Sequence, residues 1–508
     1  MPRSEHVLLA IVFSLSCAAM VAGAATHEPW WDEAQAWLIA RDAPIADLFT
    51  HVVRYEGHPP LWYLLLAIPA RLGLPYASMK VVAVLGGAAS AFLLLYAFPR
   101  IPVFLRVLAP FAFYIAYQYT VVARSYVLVL PLLLLIARHY DRRSERPGLY
   151  ALLLILLSHV SVHGFAVACA LAALFLWEIA RKKIPRPPRR SFLIATAAFA
   201  ANAVLLVLLL WPPADNRAQA RVHSPFDVNR HAQVFLSVVP PLFWPPLTDE
   251  TPVEAALMAL AATAALTLLI VWYVASGAGP AVLAAALGQY AVALRYFSMW
   301  HEGLFFFVLL FGAAIAFGGP SGGRTRWRAL DVAAQVVLVL LLLRHAQWTF
   351  QSLGHDLRWE ATGSARAAEF IKSHGLHTRQ IYGTGPAVVE LQPYFAANIF
   401  DNYQNDGRAY WEWSSKNTWP YTHFTPTTDQ EITRWFDGLV GARPEYIVYG
   451  SVLMEPDSHA TRLFRDPSYR RIGSFGGYTY WKNHPNWLIS FHVFERVTPR
   501  PPTGRPGA

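Results

Sequence analysis

Pro59-Pro60-Leu61-Trp62-Tyr63-Leu64-Leu65-Leu66-Ala67-Ile68-Pro69-Ala70-Arg71-Leu72-Gly73-Leu74 is apolar throughout except for one arginine. How it is read decides how the rest of the chain is arranged. Counted as a membrane span, it inverts every loop that follows. Counted as a juxtamembrane or re-entrant segment, it leaves the basic loops together on one side. Those loops hold Arg3; Arg100 and Arg106; Arg138, Arg142, Arg143 and Arg146; Arg181, Lys182, Lys183, Arg186, Arg189 and Arg190; and Arg324, Arg326 and Arg328. The opposite loops after the first one hold few: Arg124, Arg217, Arg221, Arg230 and Arg295. Cytoplasmic loops collect Lys and Arg, so the second reading places the N-terminus in the cytoplasm and residues 59–74 on the far face.

The surrounding composition agrees. Of 508 residues, 55% are hydrophobic and 15% charged, and the apolar residues fall into runs broken by short basic or proline-containing loops. A bilayer core about 30 Å thick takes about 20 helical residues. Eleven spans are expected, near 7–25, 79–97, 103–119, 124–138, 149–162, 164–180, 191–211, 253–275, 279–295, 302–318 and 329–345. The fold class is an α-helical polytopic membrane protein. The net charge of +10 sits in loops between hydrophobic runs, as membrane orientation requires, and no nucleic-acid partner follows from it. The two cysteines, Cys17 and Cys169, lie inside apolar segments, so neither a disulfide framework nor a cysteine metal site is available. The first span ends in Ala22-Gly23-Ala24-Ala25, which has the form of a signal-peptidase site. The parity of eleven spans suits a retained helix.

Residues 1–345 form the membrane domain, with a large first outer loop at 26–78. After that domain the chain becomes mixed and rich in Gly, Trp and Tyr. Residues 346–500 contain no run able to cross a bilayer and are long enough for a core of their own. A helix through Ala365, Ala368, Phe370 and Ile371, stopped at Gly375, is expected there. Strands are expected at Gln380–Tyr382 and Tyr446–Tyr449, with a hairpin turning at Gly476-Gly477 between Ile472 and Trp481. These make a small α/β domain, extracytoplasmic by parity. The Pro- and Arg-rich tail, 501–508, is expected to be disordered.

The chemical signal lies in the first outer loop. Trp30-Trp31-Asp32-Glu33-Ala34 places two adjacent carboxylates where the chain leaves its first span, and Gly57-His58-Pro59-Pro60 follows. Irregular backbone at membrane depth is tolerated where protein buries it or a wet cavity faces it, so a cavity is expected there. No phosphate-cradling glycine loop and no D-x-D nucleotide-sugar motif is present. Transfer of a sugar from a prenyl-phosphate lipid needs none of these. It requires a base for the acceptor hydroxyl and cations for the leaving phosphate.

Trp30 to Trp37 (W-W-D-E-A-Q-A-W), Gly57 to Tyr63 (G-H-P-P-L-W-Y), Ala123 to Tyr126 (A-R-S-Y) and Arg295 to Leu304 (R-Y-F-S-M-W-H-E-G-L) together resemble the GT-C glycosyltransferases. Within that superfamily the likeness is to the branch holding protein O-mannosyltransferases and the lipid A aminoarabinose transferase. It covers roughly residues 1–345. It implies a GT-C membrane fold in the plasma (inner) membrane, a polyprenyl-phosphate-linked sugar as donor, a lipid, glycan or protein acceptor, and an inverting single displacement on the extracytoplasmic (periplasmic) side. Carried over by residue, Asp32 is the catalytic base and Glu33 its partner. Asp32 as the N-cap of a helix beginning at Glu33 is the structural alternative. His58 either binds donor phosphate, completes a divalent-metal site with Asp32, Glu33 or Glu56, or caps a helix started by Pro59-Pro60. Aminoarabinose transferases carry lysine at that step.

Arg124 and Tyr126 sit where two expected spans meet at the outer face, and a membrane-buried arginine marks a site unless it snorkels. Its planar fork suits phosphate oxygens. Arg295 and His301 bracket another outer turn and are read the same way. His159 and His163, at a tight outer hairpin, either line the cavity or are satisfied between helices. In the C-terminal part, Trp411, Trp413, Trp419 and Trp435, with Tyr403, Tyr410 and Arg408, suit either acceptor recognition or core packing. Two other classes share the span pattern: a transporter or flippase, which would show internal repeats, and a non-enzymatic assembly protein for cell-envelope glycans, which would need neither Asp32 nor Arg124.

Overall fold

The computed structural model describes residues 2–216, 224, 226–244, 251–319, 322–403, 407–414, 437–452, 461–482 and 484–497. Arg217, Arg221, Trp419, Trp435 and the tail lie outside the described residues. The chain forms two compact units. One comprises residues 1–27, 44–357 and 482–484; the other comprises 28–43, 358–481 and 485–508.

The first unit is a helical, multi-pass membrane assembly. Among the described residues seven helices are long and apolar enough to cross a bilayer: Arg3–Thr26, Tyr76–Ala97, Val162–Ala180, Arg189–Leu210, Pro252–Ala275, Met299–Gly318 and Arg328–Asp356. Each coincides with one of the eleven expected spans. The other four expected spans take different forms. Pro147–Ser158 and Gly279–Arg295 are helices of 12 and 17 residues. The stretch expected to hold spans 103–119 and 124–138 is broken into a helix at Val103–Leu108, tight 3-10 turns at Ala109–Phe111 and Ser125–Leu128, a wider π-helical turn between them at Tyr114–Gln118, and a helix at Val129–His139. Pro110 lacks the amide a continuous helix needs. The irregular backbone is paid for by enclosure: Tyr114, Tyr117, Tyr119 and Tyr126 are all fully buried.

Leu61–Arg71 is a helix of 11 residues. At about 1.5 Å per residue it reaches about half the hydrocarbon thickness, which fits the juxtamembrane reading of Pro59–Leu74. Buried cations elsewhere in this unit have structural partners. Arg106 meets Glu5 at 2.7 Å, Arg143 meets Glu178 at 2.6 Å, and Lys80 donates to the Val121 carbonyl at 2.7 Å. Asp356, ending the long helix Arg328–Asp356, accepts from His27 and from the Tyr117 hydroxyl, both at 2.8 Å.

Met299–Gly318 is the most enclosed of the long helices, and Gly279–Arg295 packs both on its Glu302–Gly318 portion and on Val162–Ala180. Gly288 permits the second of these contacts: a Cβ there would lie 2.8 Å from the Ala166 carbonyl oxygen and 3.0 Å from Val167 Cα. Small residues let membrane helices approach this closely. Gly288→Val should therefore destabilise the unit by about 1–3 kcal/mol through overpacking, read as a lowered thermal midpoint in detergent.

The second unit is built on a four-stranded sheet: β1 (Ile381–Thr384), β2 (Tyr446–Ser451), β3 (Tyr469–Trp481) and β4 (His484–Arg496), in the order β1-β2-β4-β3. β1 runs parallel to β2, with Ile381 opposite Tyr446, and β2 antiparallel to β4, with Tyr449 opposite His492. Its core gathers Leu439, Ile447, Tyr449, Leu463, Tyr469 and Phe494. The expected helix is present at Ser364–Ser373, with Gly375 beyond its end at φ 65°. One expectation is corrected: Gly476-Gly477 is not a turn. β3 runs through it, and the chain reverses after Trp481. The glycines serve close packing instead. A Cβ on Gly477 would lie 2.4 Å from the Glu360 carbonyl oxygen, and the Tyr478 amide donates to that same oxygen at 3.0 Å.

The partition also differs from the boundary expected at residue 345. Residues 28–43 of the first outer loop belong to the second unit. Their hydrogen bonds explain it: Gln35 exchanges two 2.7 Å bonds with the Trp411 backbone, and Arg41 donates to the Phe395 carbonyl at 2.7 Å.

Candidate functional site

Five of the residues singled out in the sequence come together inside the membrane unit: His58, Arg124, Tyr126, His163 and His301. Each is placed by a local device. Ser298 precedes a turn at Met299–His301, and its amide donates to His301 Nδ1 at 3.0 Å. Because that amide can only donate, Nδ1 is the bare nitrogen and the ring proton is on Nε2, where it is donated to the Tyr126 oxygen at 3.0 Å. Protonating His301 would break the Ser298 contact, so the ring is held neutral. Tyr126 lies in the turn Ser125–Leu128, after an extended Arg124 whose guanidinium carbon is 5.6 Å from the Tyr126 ring. His163 is in the first turn of Val162–Ala180, a helix capped by the Ser161 hydroxyl, which accepts from the Gly164 amide at 3.0 Å. The His163 and His301 rings are 4.6 Å apart, and those of His58 and Tyr126 6.3 Å.

His163 Nδ1 meets Gln289 Oε1 at 2.8 Å. Gln289 is fully buried on Gly279–Arg295, and its Nε2 has no hydrogen-bond partner among the described residues. His58 Nδ1 is in the same state. Burial depresses the His58 imidazole to about 3, and the charge of Arg124 and then His163 push the same way, so His58 is neutral in the free protein. Two buried nitrogens without partners each carry an unmet cost of about 1–3 kcal/mol. Beside an arginine and a tyrosine, that deficit suits a polar, anionic guest.

Beyond Tyr126 the cluster continues to a buried ion pair. The Tyr119 ring is 5.3 Å from that of Tyr126 and 5.7 Å from that of Tyr114, and its hydroxyl donates to the Trp300 carbonyl. Glu302, next to His301 in the chain, pairs with Lys482 at 2.9 Å, both nearly without exposure. Lys482 also donates to the Pro241 carbonyl and lies 4.7 Å from the centre of the Trp348 ring.

The other predicted residues are placed elsewhere. Arg295 is exposed at the end of Gly279–Arg295, where a cation complements the helix dipole. His159 and His163 do not converge: His159 Nε2 meets Asn202 at 2.7 Å, on the helix Arg189–Leu210. The reading of His159 as satisfied between helices is the one observed. Glu56 ends the short helix Val53–Glu56. Among the described residues no group of three or more His, Cys, Asp or Glu is arranged to hold a metal ion.

Asp32 and Glu33 belong to the second unit. Their helix is Trp31–Asp42, with Trp30 at its N-cap, so Asp32 is not the capping residue. Glu33 does that work: fully buried, it accepts from the Trp30 amide at 3.2 Å. Asp32 is the half-buried second residue of the helix. The Trp31 amide is held at 2.9 Å by Glu390, a fully buried carboxyl on Pro386–Tyr394. Glu28 sits at the start of Ser364–Ser373, accepting from the Gly363 amide at 2.7 Å and the Ser364 hydroxyl at 2.9 Å. Burial lifts Glu390 well above the ordinary carboxylate range, and the charges of Glu28 and Glu33 add to the lift, against opposing hydrogen bonds from the Trp31 amide and Thr362. A folded-state value above the unfolded one contributes stability that is complete below the unfolded value of about 4.3 and lost as pH rises toward the folded one. Glu390→Gln should flatten that decline in thermal midpoint from pH 4 upward.

Among the aromatics of the C-terminal part, Tyr403, Tyr410 and Trp411 are buried and Trp411 is tied to Gln35, so these three pack the core.

No family model, curated protein or solved structure matches this chain.

Not singled out in the sequence are Gln289, Tyr119, Glu302 and Lys482 in the membrane unit and, separately, Glu28 and Glu390 around the helix of Asp32. Gln289 carries a readable signal, an amide in the middle of an apolar helix. Glu302 lies inside the Arg295–Leu304 stretch without standing out from it. Nothing local marks Lys482 or Glu390.

Proposed function

We propose that this protein is a membrane glycosyltransferase of GT-C type, moving a sugar from a polyprenyl-phosphate donor to an acceptor hydroxyl on the extracytoplasmic side of the plasma membrane. The observation that carries this reading is the pair of buried, partnerless nitrogens, His58 Nδ1 and Gln289 Nε2, grouped with Arg124 and Tyr126 in the membrane unit. That arrangement suits the phosphate of a lipid-linked sugar, a diester in the donor and a monoester once the sugar has left. The basic loops favour a cytoplasmic N-terminus and an extracytoplasmic C-terminal domain.

In the reaction, Asp32 takes the proton of the acceptor hydroxyl as its oxygen bonds to the anomeric carbon. The bond from that carbon to the phosphate oxygen breaks, and the electron pair leaves with the polyprenyl phosphate. Arg124 supplies charge to the departing phosphate and His58 and Tyr126 supply hydrogen bonds, which stabilises the charge that develops on it. One displacement inverts the anomeric centre. Glu33 supports Asp32 by holding the first turn of its helix.

The test uses protein in lipid nanodiscs and two probes, a C55 polyprenyl monophosphate and the uncharged C55 polyprenol. Preferential binding of the phosphate, with a glycan or glycolipid missing from the envelope mass spectrum of cells lacking the protein, supports the reading. Equal affinity for the two lipids contradicts it. Transport of the lipid across a vesicle membrane, without sugar transfer, would favour the flippase class instead.

A further inference from the structure

The helix that carries Asp32 is part of the domain built on the C-terminal sheet, and it is tied there along its whole length. Its first amide, Trp31, is held by Glu390 at 2.9 Å. One turn on, Gln35 pairs in both directions with the Trp411 backbone at 2.7 Å. At its far end Arg41 donates to the Phe395 carbonyl at 2.7 Å, and the Ala409 amide donates to Asp42 at 3.4 Å. The tie at the first turn is unusual in its chemistry. Amides of a first helical turn are usually met by water or by a short capping side chain. Here a fully buried carboxyl from a distant segment does it, at a desolvation cost an apolar side chain would not incur.

We propose that Glu390 is a positioning residue for Asp32: by holding the Trp31 amide it fixes the first helical turn, and with it the direction of the Asp32 carboxylate. This rests on the reading of Asp32 as the base. The upward displacement of the Glu390 carboxyl fits the role, since a neutral acid still accepts from an amide without adding a third negative charge beside Glu28 and Glu33. Glutamine at the same place offers the same acceptor, whereas methionine fills the space and offers none.

The experiment compares wild type, Glu390→Gln and Glu390→Met as full-length chains in nanodiscs. Hydrogen exchange is followed on peptides covering Trp31 to Gln35, and C55 polyprenyl monophosphate binding and sugar transfer are measured in parallel. Glu390→Met should speed exchange in that peptide by about tenfold and lower kcat by about 10- to 100-fold. It should leave lipid-phosphate binding and the KM for the donor unchanged. Glu390→Gln should restore all of these to wild-type values. Unchanged exchange in a folded Glu390→Met chain overturns the proposal, as does faster exchange with full turnover. If Glu390→Met does not fold, Glu390→Gln decides: normal turnover supports an acceptor at this point, and lost turnover overturns it. Should wild type neither bind the phosphate lipid nor transfer sugar, the glycosyltransferase reading fails, while the exchange measurement still shows whether Glu390 holds the helix.

Discussion

Arg124→Gln is expected to weaken binding of a C55 polyprenyl monophosphate by about 10- to 100-fold, from the roughly 1.5–3 kcal/mol of a hydrogen bond to a charged group. Binding of the uncharged polyprenol should not change. Arg124 is half-buried and extended at the edge of a turn, beside the Tyr126 ring. Close to it, His58 is held neutral by burial, and the Ser298 amide, donating to His301 Nδ1, keeps that ring neutral as well. The guanidinium therefore supplies the cluster's positive charge, and the imidazoles supply hydrogen bonds. Arg124→Lys should recover part of the affinity, because an ammonium keeps the charge but loses the two-pronged geometry. A loss shared equally by phosphate and alcohol would mean that Arg124 supports the fold rather than the ligand. Isothermal titration in nanodiscs distinguishes the two.

Asp32→Asn should lower sugar transfer by about 10²- to 10⁴-fold, the usual contribution of a positioned general base. Donor binding should stay at the wild-type level. Asparagine is close to isosteric with aspartate and leaves the first turn intact, since that turn is held by the Trp30 amide donating to Glu33 and the Trp31 amide donating to Glu390. The expected signature is a fall in kcat at constant KM. Undiminished transfer by a folded Asp32→Asn chain would remove Asp32 from the chemistry and leave its helix a structural element.

Much of the architecture was legible because hydropathy and length are properties of single segments. The seven long apolar helices could be found without knowing what they pack on. Residues 103–139 could not be read in that way. Their apolar character is as strong as that of a span, but the run is interrupted at Pro110 and by tyrosines whose rings fill the bundle interior, so tertiary packing sets the backbone. Gly476-Gly477 shows the same limit. A glycine pair signals a turn when only neighbours in sequence are considered, but here it admits the backbone of Glu360 to Gly363.

The site was legible where chemistry is written in residue type. His58, Arg124, Tyr126, His163 and His301 stand out as polar groups beside apolar runs, and they meet. His159 stands out equally and pairs with Asn202 instead, because four residues across a helix–turn–helix corner do not keep two side chains on one face. Glu390 and Lys482 have no local signature: their roles come from contacts with Trp31 and Glu302, far away in the chain.

The most direct measurement places the lipid phosphate itself. A C55 polyprenyl monophosphate analogue with a photoreactive diazirine next to the phosphate, activated in nanodiscs and followed by peptide mass spectrometry, should mark peptides containing His58, Arg124 to Tyr126, Gln289 and His301. Unlabelled polyprenyl monophosphate should compete for those marks, and Arg124→Gln should reduce them. Labels confined to the lipid-facing surfaces of Arg189–Leu210 and Pro252–Ala275, indifferent to competitor, would contradict a phosphate site in this cluster.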